Sequence, residues 1–365
     1  MPRITIKQHE KVLETTKVLL LLKEFIRDSN QGKRTKKNGS RISQGTIRNY
    51  TYLMKAIESH YSGNGKYSLS IHILEKASQK KKEQIAHFYK AFYNDFTDHL
   101  FSLGYFDNYV GLIVKCLRSF FNYLILERNL NLGSYHKQFY VYVEQISIIA
   151  LSPSQLRYII HDPDFISKVN NHGLSEIRNI FLFGCCVALR VSDLLSLTEK
   201  NLIRENGNTY LSVRSKKSRT DTKVKLPHFA LEILETYKGR QRTLLPKISK
   251  AYLNTRIKDM AQLFEGNFEL VKFRERRGKQ VVVYKNPDTK TNYTLADHIC
   301  THTMRRTGIT SMLSLGMPEY LVRKVSGHSA NSKEFFRYVE LAQHYLDEQT
   351  DLVFNNLADV TLDHS

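Results

Sequence analysis

Thr301-His302-Thr303-Met304-Arg305-Arg306-Thr307 is the stretch on which the reading of this chain turns. It leads into a helix, and at helical pitch His302 and Arg305, at i and i+3, share one face with Cβ atoms about 5–6 Å apart. A single histidine is more often structural than catalytic, and one His-x-x-Arg pair says little alone. What lies on either side gives it weight. Downstream come Gly316, then Val325-Ser326-Gly327-His328, a helix end with a glycine turn and an exposed histidine. Phe335-Phe336-Arg337-Tyr338-Val339 follows, although Tyr338 is only one of 21 tyrosines. Upstream, Ala188-Leu189-Arg190-Val191-Ser192-Asp193 sets an arginine at the end of an apolar helix, with an acid three residues on. A buried guanidinium is costly unless it is paired or faces an anion. Arg190 therefore either forms a structural pair with Asp193 or faces an anionic ligand.

Between and before these motifs the chain is mostly helical. A long apolar helix over Ile177 to Ala188 precedes two alternating strands, around Thr209 to Val213 and Lys223 to Leu226. Helices follow near Ala230 to Tyr237 and Leu253 to Leu263, and the basic segment Lys272 to Tyr284 reads as a second hairpin. In the N-terminal part, four amphipathic helices predict a small bundle. They carry Leu22, Phe25 and Ile26; Ile47, Tyr50, Met54, Ile57 and Tyr61; Ile85, Phe88, Phe92, Phe96 and Leu100; and Leu112, Leu117, Phe120, Phe121 and Leu124. Asn129 to Ala150 reads as a connector. Ser152-Pro153-Ser154-Gln155 then supplies an N-cap, a first-turn proline and a capping-box glutamine. The expected architecture is mainly α with small β-hairpins.

The 365 residues carry 55 Lys and Arg against 35 Asp and Glu, a net charge of +20 with histidine neutral. A charge so far from zero points to a polyanionic partner, with nucleic acid the leading candidate ahead of anionic lipid or a merely soluble basic protein. The longest aliphatic run, Val18 to Leu22, is too short to span a bilayer, so no membrane role is expected. No signal peptide opens the chain, and the four cysteines show no metal-ligand spacing. A cytoplasmic, nucleoid-associated protein with no metal and no cofactor fits these features.

The order of the motifs is more telling than any one of them. Arg190, a hairpin lysine, His302 with Arg305, Gly327-His328, and Tyr338 ten residues later resemble the tyrosine recombinase (phage integrase) family. The resemblance implies a helical core DNA-binding domain at 15–145 and a catalytic domain with a C-terminal tail at 151–365. It leaves 1–14 as a short extension with no room for a separate arm-binding domain. It also implies a site-specific recombinase, serving DNA integration or another mobile element, that assembles as a homotetramer on two paired sites. Accessory DNA-bending proteins are compatible with that scheme. Tyr338 would be the nucleophile, although the gap from His328 is one residue longer than the family's, which leaves Tyr345 as a rival. Lys217 would be the general acid, with Lys216 as its rival. Asp193 would orient its neighbours, and Arg306 would touch the DNA backbone or serve structure. A type IB-like topoisomerase and a non-cutting DNA-binding protein of the same fold stand as alternatives.

The residue types suit the chemistry independently. Attack on a phosphodiester builds charge on the non-bridging oxygens, which two planar arginine forks hold better than lysines could. His328 and His302 can donate to the same oxygens, and His302 can also help remove the phenolic proton. A lysine on a mobile hairpin can protonate the leaving 5′ oxygen. Tyr338 then stores the bond energy as an ester.

Overall fold

The computed structural model describes residues 4–6, 11–63, 65–75, 77–215, 220–240 and 242–359, with part of the side chains beyond residue 343 left aside. The chain divides into two units: Met1–Ile146 with Phe273–Val283, and Ser147–Lys272 with Tyr284–Ser365.

The first unit is built on four helices. β1 (Val12–Leu13) leads into α1 (Thr15–Asn30), and α2 (Gln44–Ser62) comes next. β2 (Ile71–His72) pairs antiparallel with β1, and α3 (Gln79–Ser102) and α4 (Asp107–Leu126) complete the set. Ser43 and Ser78 cap α2 and α3, each accepting from a backbone N–H three residues on. The stripes expected from periodicity meet in one core, where Leu22, Phe25, Ile57, Phe92, Phe96, Leu117 and Phe120 are buried. Tyr61 is an exception. It is exposed, and His60 is buried in its place with Nε2 2.9 Å from Asp95 Oδ2. A helix repeats every 3.6 residues, so position 60 as well as 61 can point inward, and the carboxylate makes a buried imidazole tolerable. By length and composition alone α4 could cross a membrane. Here its Val110, Ile113, Leu117, Phe120 and Leu124 are buried in the bundle, which accounts for its hydropathy. After α4 the chain makes one turn of 3-10 helix at Tyr135–Gln138 and then continues without regular secondary structure. Gly111 lies beneath it, and a Cβ there would stand 1.9 Å from the Tyr142 carbonyl oxygen.

The second unit opens with α5 (Pro153–His161), whose Ser152–Gln155 capping box is formed as the sequence predicts. Asp162 and Pro163 then start a separate α6 (Pro163–Asn171), capped by the Asp162 side chain. α7 (Ser175–Val187) is the apolar central helix, and α8 (Val191–Leu194) is a single turn after it. β3 (Leu202–Glu205), β4 (Asn208–Arg214) and β5 (Asp221–Lys225) form an antiparallel sheet in that order, with Leu202 opposite Leu211 and Arg214 opposite Asp221. α9 (His228–Tyr237) and α10 (Lys250–Gln262) pack on α7. β6 (Glu269–Leu270) pairs with a later short strand, and between them β7 (Lys272–Arg276) and β8 (Lys279–Val283) make the expected hairpin. That hairpin groups with the first unit. Its Arg274 makes two hydrogen bonds to the buried Glu144, and the Asp107 carboxylate accepts from the backbone N–H groups of Arg277 and Gly278. β9 (Tyr293–Thr294) closes the pairing with β6, and α11 (Leu295–His298) follows. The chain ends in α12 (Thr301–Ser314), α13 (Glu319–Ser326) and α14 (Lys333–Asp359).

Candidate active site

Two glycines bring α12 and α7 together. A Cβ at Gly308 would lie 2.0 Å from the Cys185 carbonyl oxygen, and one at Gly184 would lie 2.6 Å from the Met304 sulfur. This close crossing carries Arg305 to the end of α7. There Ala188 adopts φ 49, ψ 28, a left-handed conformation that costs energy for any residue with a Cβ. The Arg305 side chain donates to the Ala188 carbonyl at 2.8 Å and to the Ser326 carbonyl at 2.7 Å. Both carbonyls stand at helix C-termini, where acceptors lack helical partners and the dipole favours a cation. Arg305 is only 3% exposed. Burial and then the Arg190 charge pull its pKa down to about 10, so it stays charged at neutral pH.

Arg190 caps α8, and its side chain donates to Ser215 Oγ at 3.1 Å. Ser215 Oγ in turn donates to Asp193 Oδ2 at 3.1 Å. The serine at the end of β4 therefore bridges the two residues whose pairing the sequence left open. The Ser215 N–H also bonds the Thr220 carbonyl. Lys217 and its rival Lys216, between these two residues in sequence, lie outside the described residues. Thr220 lies against Gly327: a Cβ at this left-handed glycine would be 2.8 Å from Thr220 Oγ1.

Gly327 ends α13 and aims His328 at Arg305. Ser326 Oγ donates to the Val322 carbonyl at 2.7 Å and stands 2.8 Å from His328 Nδ1. A hydroxyl has one proton, so Nδ1–H of His328 donates to Ser326. The neutral ring then keeps a lone pair on Nε2, 3.2 Å from the Arg305 guanidinium. Burial and the Arg305 charge push His328 down to about 4. The exposed histidine expected from the sequence is half-buried, because Phe335 packs 5.5 Å from its ring.

Tyr338 is fully buried, packed with Ala188, Ile309, Leu313, Val322 and Phe335 where the last three helices meet. Its ring lies 5.9 Å from His328. Its hydroxyl donates to Glu334 Oε1 at 3.3 Å, and burial followed by the Glu334 charge raises the phenol above its ordinary 10. Glu334 Oε1 is also 3.8 Å from Nε2 of His302, whose side chain is half exposed. The neighbouring His302 leads in holding Glu334 at about 2. The side chain of Tyr345 is not among those described.

The structure thus gathers Arg190, His302, Arg305, His328 and Tyr338 into one cluster. Three positioning residues escaped the sequence reading: Ser215, Ser326 and Glu334. Arg323 is a fourth. Its guanidinium stacks 3.9 Å over Phe335 and donates to the carbonyls of Ser329 and Ala330, pinning the loop that joins His328 to α14. The spacing of Glu334 to Tyr338, one helical turn, was the one available signal. Among the described residues no group of three His, Cys, Asp or Glu is placed to hold a metal.

A mainly helical catalytic fold with a tyrosine, two arginines and two histidines in one cluster defines a DNA breaking–rejoining class of enzyme. Residues 162–344, half of the chain, match the phage integrase family. The chain belongs to that family: it is a tyrosine recombinase, a site-specific enzyme that cleaves and rejoins DNA. The fold is similar to a lambda integrase dimer bound to a COC′ core site, with TM-score 0.55 and 14% identity over 90% of this chain and 94% of that one. It is similar to the XerH site-specific recombinase bound to a palindromic difH substrate, at 0.54 and 15% over 94% and 97%. It is also similar to the Tn1549 transposon integrase in complex with transposon right end DNA, at 0.54 and 14% over 93% and 99%. No curated protein matches the sequence.

Proposed function

We propose that this recombinase cuts double-stranded DNA through Tyr338 and holds the broken end as a 3′-phosphotyrosine. Arg190 and Arg305 grip the non-bridging oxygens of the scissile phosphate, with His302 and His328 completing the cradle. The Tyr338 oxygen bonds to phosphorus while His302 helps take its proton. The bond to the 5′ oxygen breaks, and Lys217 supplies that oxygen with a proton. A second strand's 5′ hydroxyl then attacks the phosphotyrosine, releasing Tyr338 and restoring a phosphodiester. Charge stabilisation by fixed donors is the largest contribution such a site makes. The observation that carries this reading is Arg305, buried yet charged on two helix-end carbonyls, beside His328 and Tyr338.

In this reading the enzyme works in the cytoplasm, on nucleoid DNA, as a homotetramer on two paired sites. It exchanges strands one at a time, and accessory DNA-bending proteins fit the scheme. The comparisons do not favour the topoisomerase or the non-cutting alternative. Tyr338→Phe should abolish the covalent adduct on a suicide substrate while DNA affinity stays nearly unchanged, because only the nucleophilic oxygen is lost. An adduct that persists in this variant would move the nucleophile elsewhere.

A further inference from the structure

In-line attack requires the phosphate to lie against Tyr338 with its oxygens within reach of His302. A carboxylate already stands there. Glu334 Oε1 accepts from the Tyr338 hydroxyl at 3.3 Å and lies 3.8 Å from His302 Nε2. A reacting phosphorus must come within about 3–3.5 Å of the nucleophile, so the Glu334 oxygen stands on that approach. Two anions cannot share the place, because like charges at contact distance repel strongly in a partly dry site. The carboxylate can leave, since its side chain is 57% exposed to water.

A role as general base for Tyr338 fails on acidity. Glu334 is held at about 2 while burial and the Glu334 charge raise the phenol, so the carboxylate is far too weak a base to take that proton. What remains is an anion held among cationic and hydrogen-bonding groups that are otherwise arranged for phosphate.

We infer that Glu334 is a built-in stand-in for the scissile phosphate, tying Tyr338 and His302 together in the DNA-free enzyme until the DNA backbone displaces it. The inference rests on Tyr338 being the nucleophile. It makes cleavage conditional on a phosphate seated well enough to expel the carboxylate. A poorly seated backbone leaves the tyrosine tethered.

The test uses full-length Glu334→Gln, which keeps size and removes charge, Glu334→Ala, and Tyr338→Phe as control. One readout is single-turnover adduct formation on a suicide substrate at subsaturating and saturating DNA. The other is the affinity of the DNA-free protein for inorganic phosphate, followed by the imidazole NMR shifts of His302 and His328. If the carboxylate competes with phosphate by about one hydrogen bond's worth, both variants should bind phosphate roughly three- to tenfold more tightly and form adduct faster at subsaturating DNA by a similar factor. A tenfold or greater fall in adduct rate at saturating DNA would overturn the inference and put Glu334 in the chemistry. Unchanged phosphate affinity would overturn it too, whatever the rate does. An adduct in Tyr338→Phe would instead sink the nucleophile assignment, a failure distinct from both.

Discussion

His328 is a base in the free enzyme and an acid in the proposed reaction, and the change between them is measurable. With Nδ1–H committed to Ser326 and the ring held down to about 4, Nε2 presents a lone pair that would repel a phosphate oxygen. Docking the phosphate adds a negative charge that favours the imidazolium, so His328 should gain a proton as it turns from acceptor to donor. The sign follows: at about pH 6 the free ring is neutral and the bound ring charged, so DNA binding should take up as much as about one proton per protomer at this residue. Calorimetry in buffers of different ionisation enthalpy would read that uptake, and His328→Asn should lose it. Equal uptake by both proteins would show that the ring does not titrate. Arg190, His302, Arg305, His328 and Tyr338 were legible because they are chemically distinctive and come in a fixed order. Ser326 and Glu334 were not. A serine before a helix-ending glycine reads as a cap, and a glutamate on an exposed turn reads as surface, so their roles exist only once helices from distant sequence converge. Lys217 stays an expectation from the sequence.

The α7–α12 crossing sets two effects of opposite sign against each other at Gly308. In an exposed helix, replacing glycine by alanine stabilises by about 1 kcal/mol. Here the added Cβ would stand 2.0 Å from the Cys185 carbonyl oxygen, too close to exist without moving a helix. Overpacking of this kind costs about 1–3 kcal/mol, so the clash wins. Gly308→Ala should therefore lower the urea midpoint of unfolding, and it should weaken adduct formation as Arg305 is pushed off the Ala188 carbonyl. A raised midpoint would mean the crossing is looser than described. Most elements could be read from periodicity, since a stripe such as Ile85, Phe92, Phe96 and Leu100 carries the 3.6-residue signal in itself. β3 and α6 could not, because β3 is only four residues long and half-buried, and α6 buries just Phe165 and Val169. Nor could the packing of the second hairpin be foreseen. It depends on Glu144 and Asp107, more than a hundred residues away, and no local pattern encodes that distance.

For the molecule as a whole, the net charge of +20 makes salt the first probe. If lysines and arginines neutralise about 6–10 phosphates, affinity should drop roughly 10³–10⁵-fold between about 50 and 200 mM salt; a flat response in a filter-binding titration would contradict a charge-driven grip on DNA. Assembly needs a different probe, and the C-terminal tail provides it. α14 runs unbroken from Lys333 to Asp359, so Tyr338 and the tail share one helix. Sixteen residues separate Tyr338 from Phe354, about 24 Å along that helix, and whatever holds the tail therefore also sets the pose of the nucleophile. Phe354 is 64% exposed. The side chains of Leu352, Val353 and Leu357, and residues Val360 and Leu362, which with Phe354 make the tail's apolar residues, lie outside those described. An exposed aromatic on an acid-rich segment suits a basic protein surface better than DNA, and in the proposed homotetramer a neighbouring copy would offer such a surface. Deleting residues 351–365 should leave one protomer folded and able to bind a half-site, while cooperative occupancy of a full site weakens in a gel-shift titration. A truncated protein that pairs and recombines normally would refute docking between copies, and one that unfolds would assign the tail to the core of its own unit.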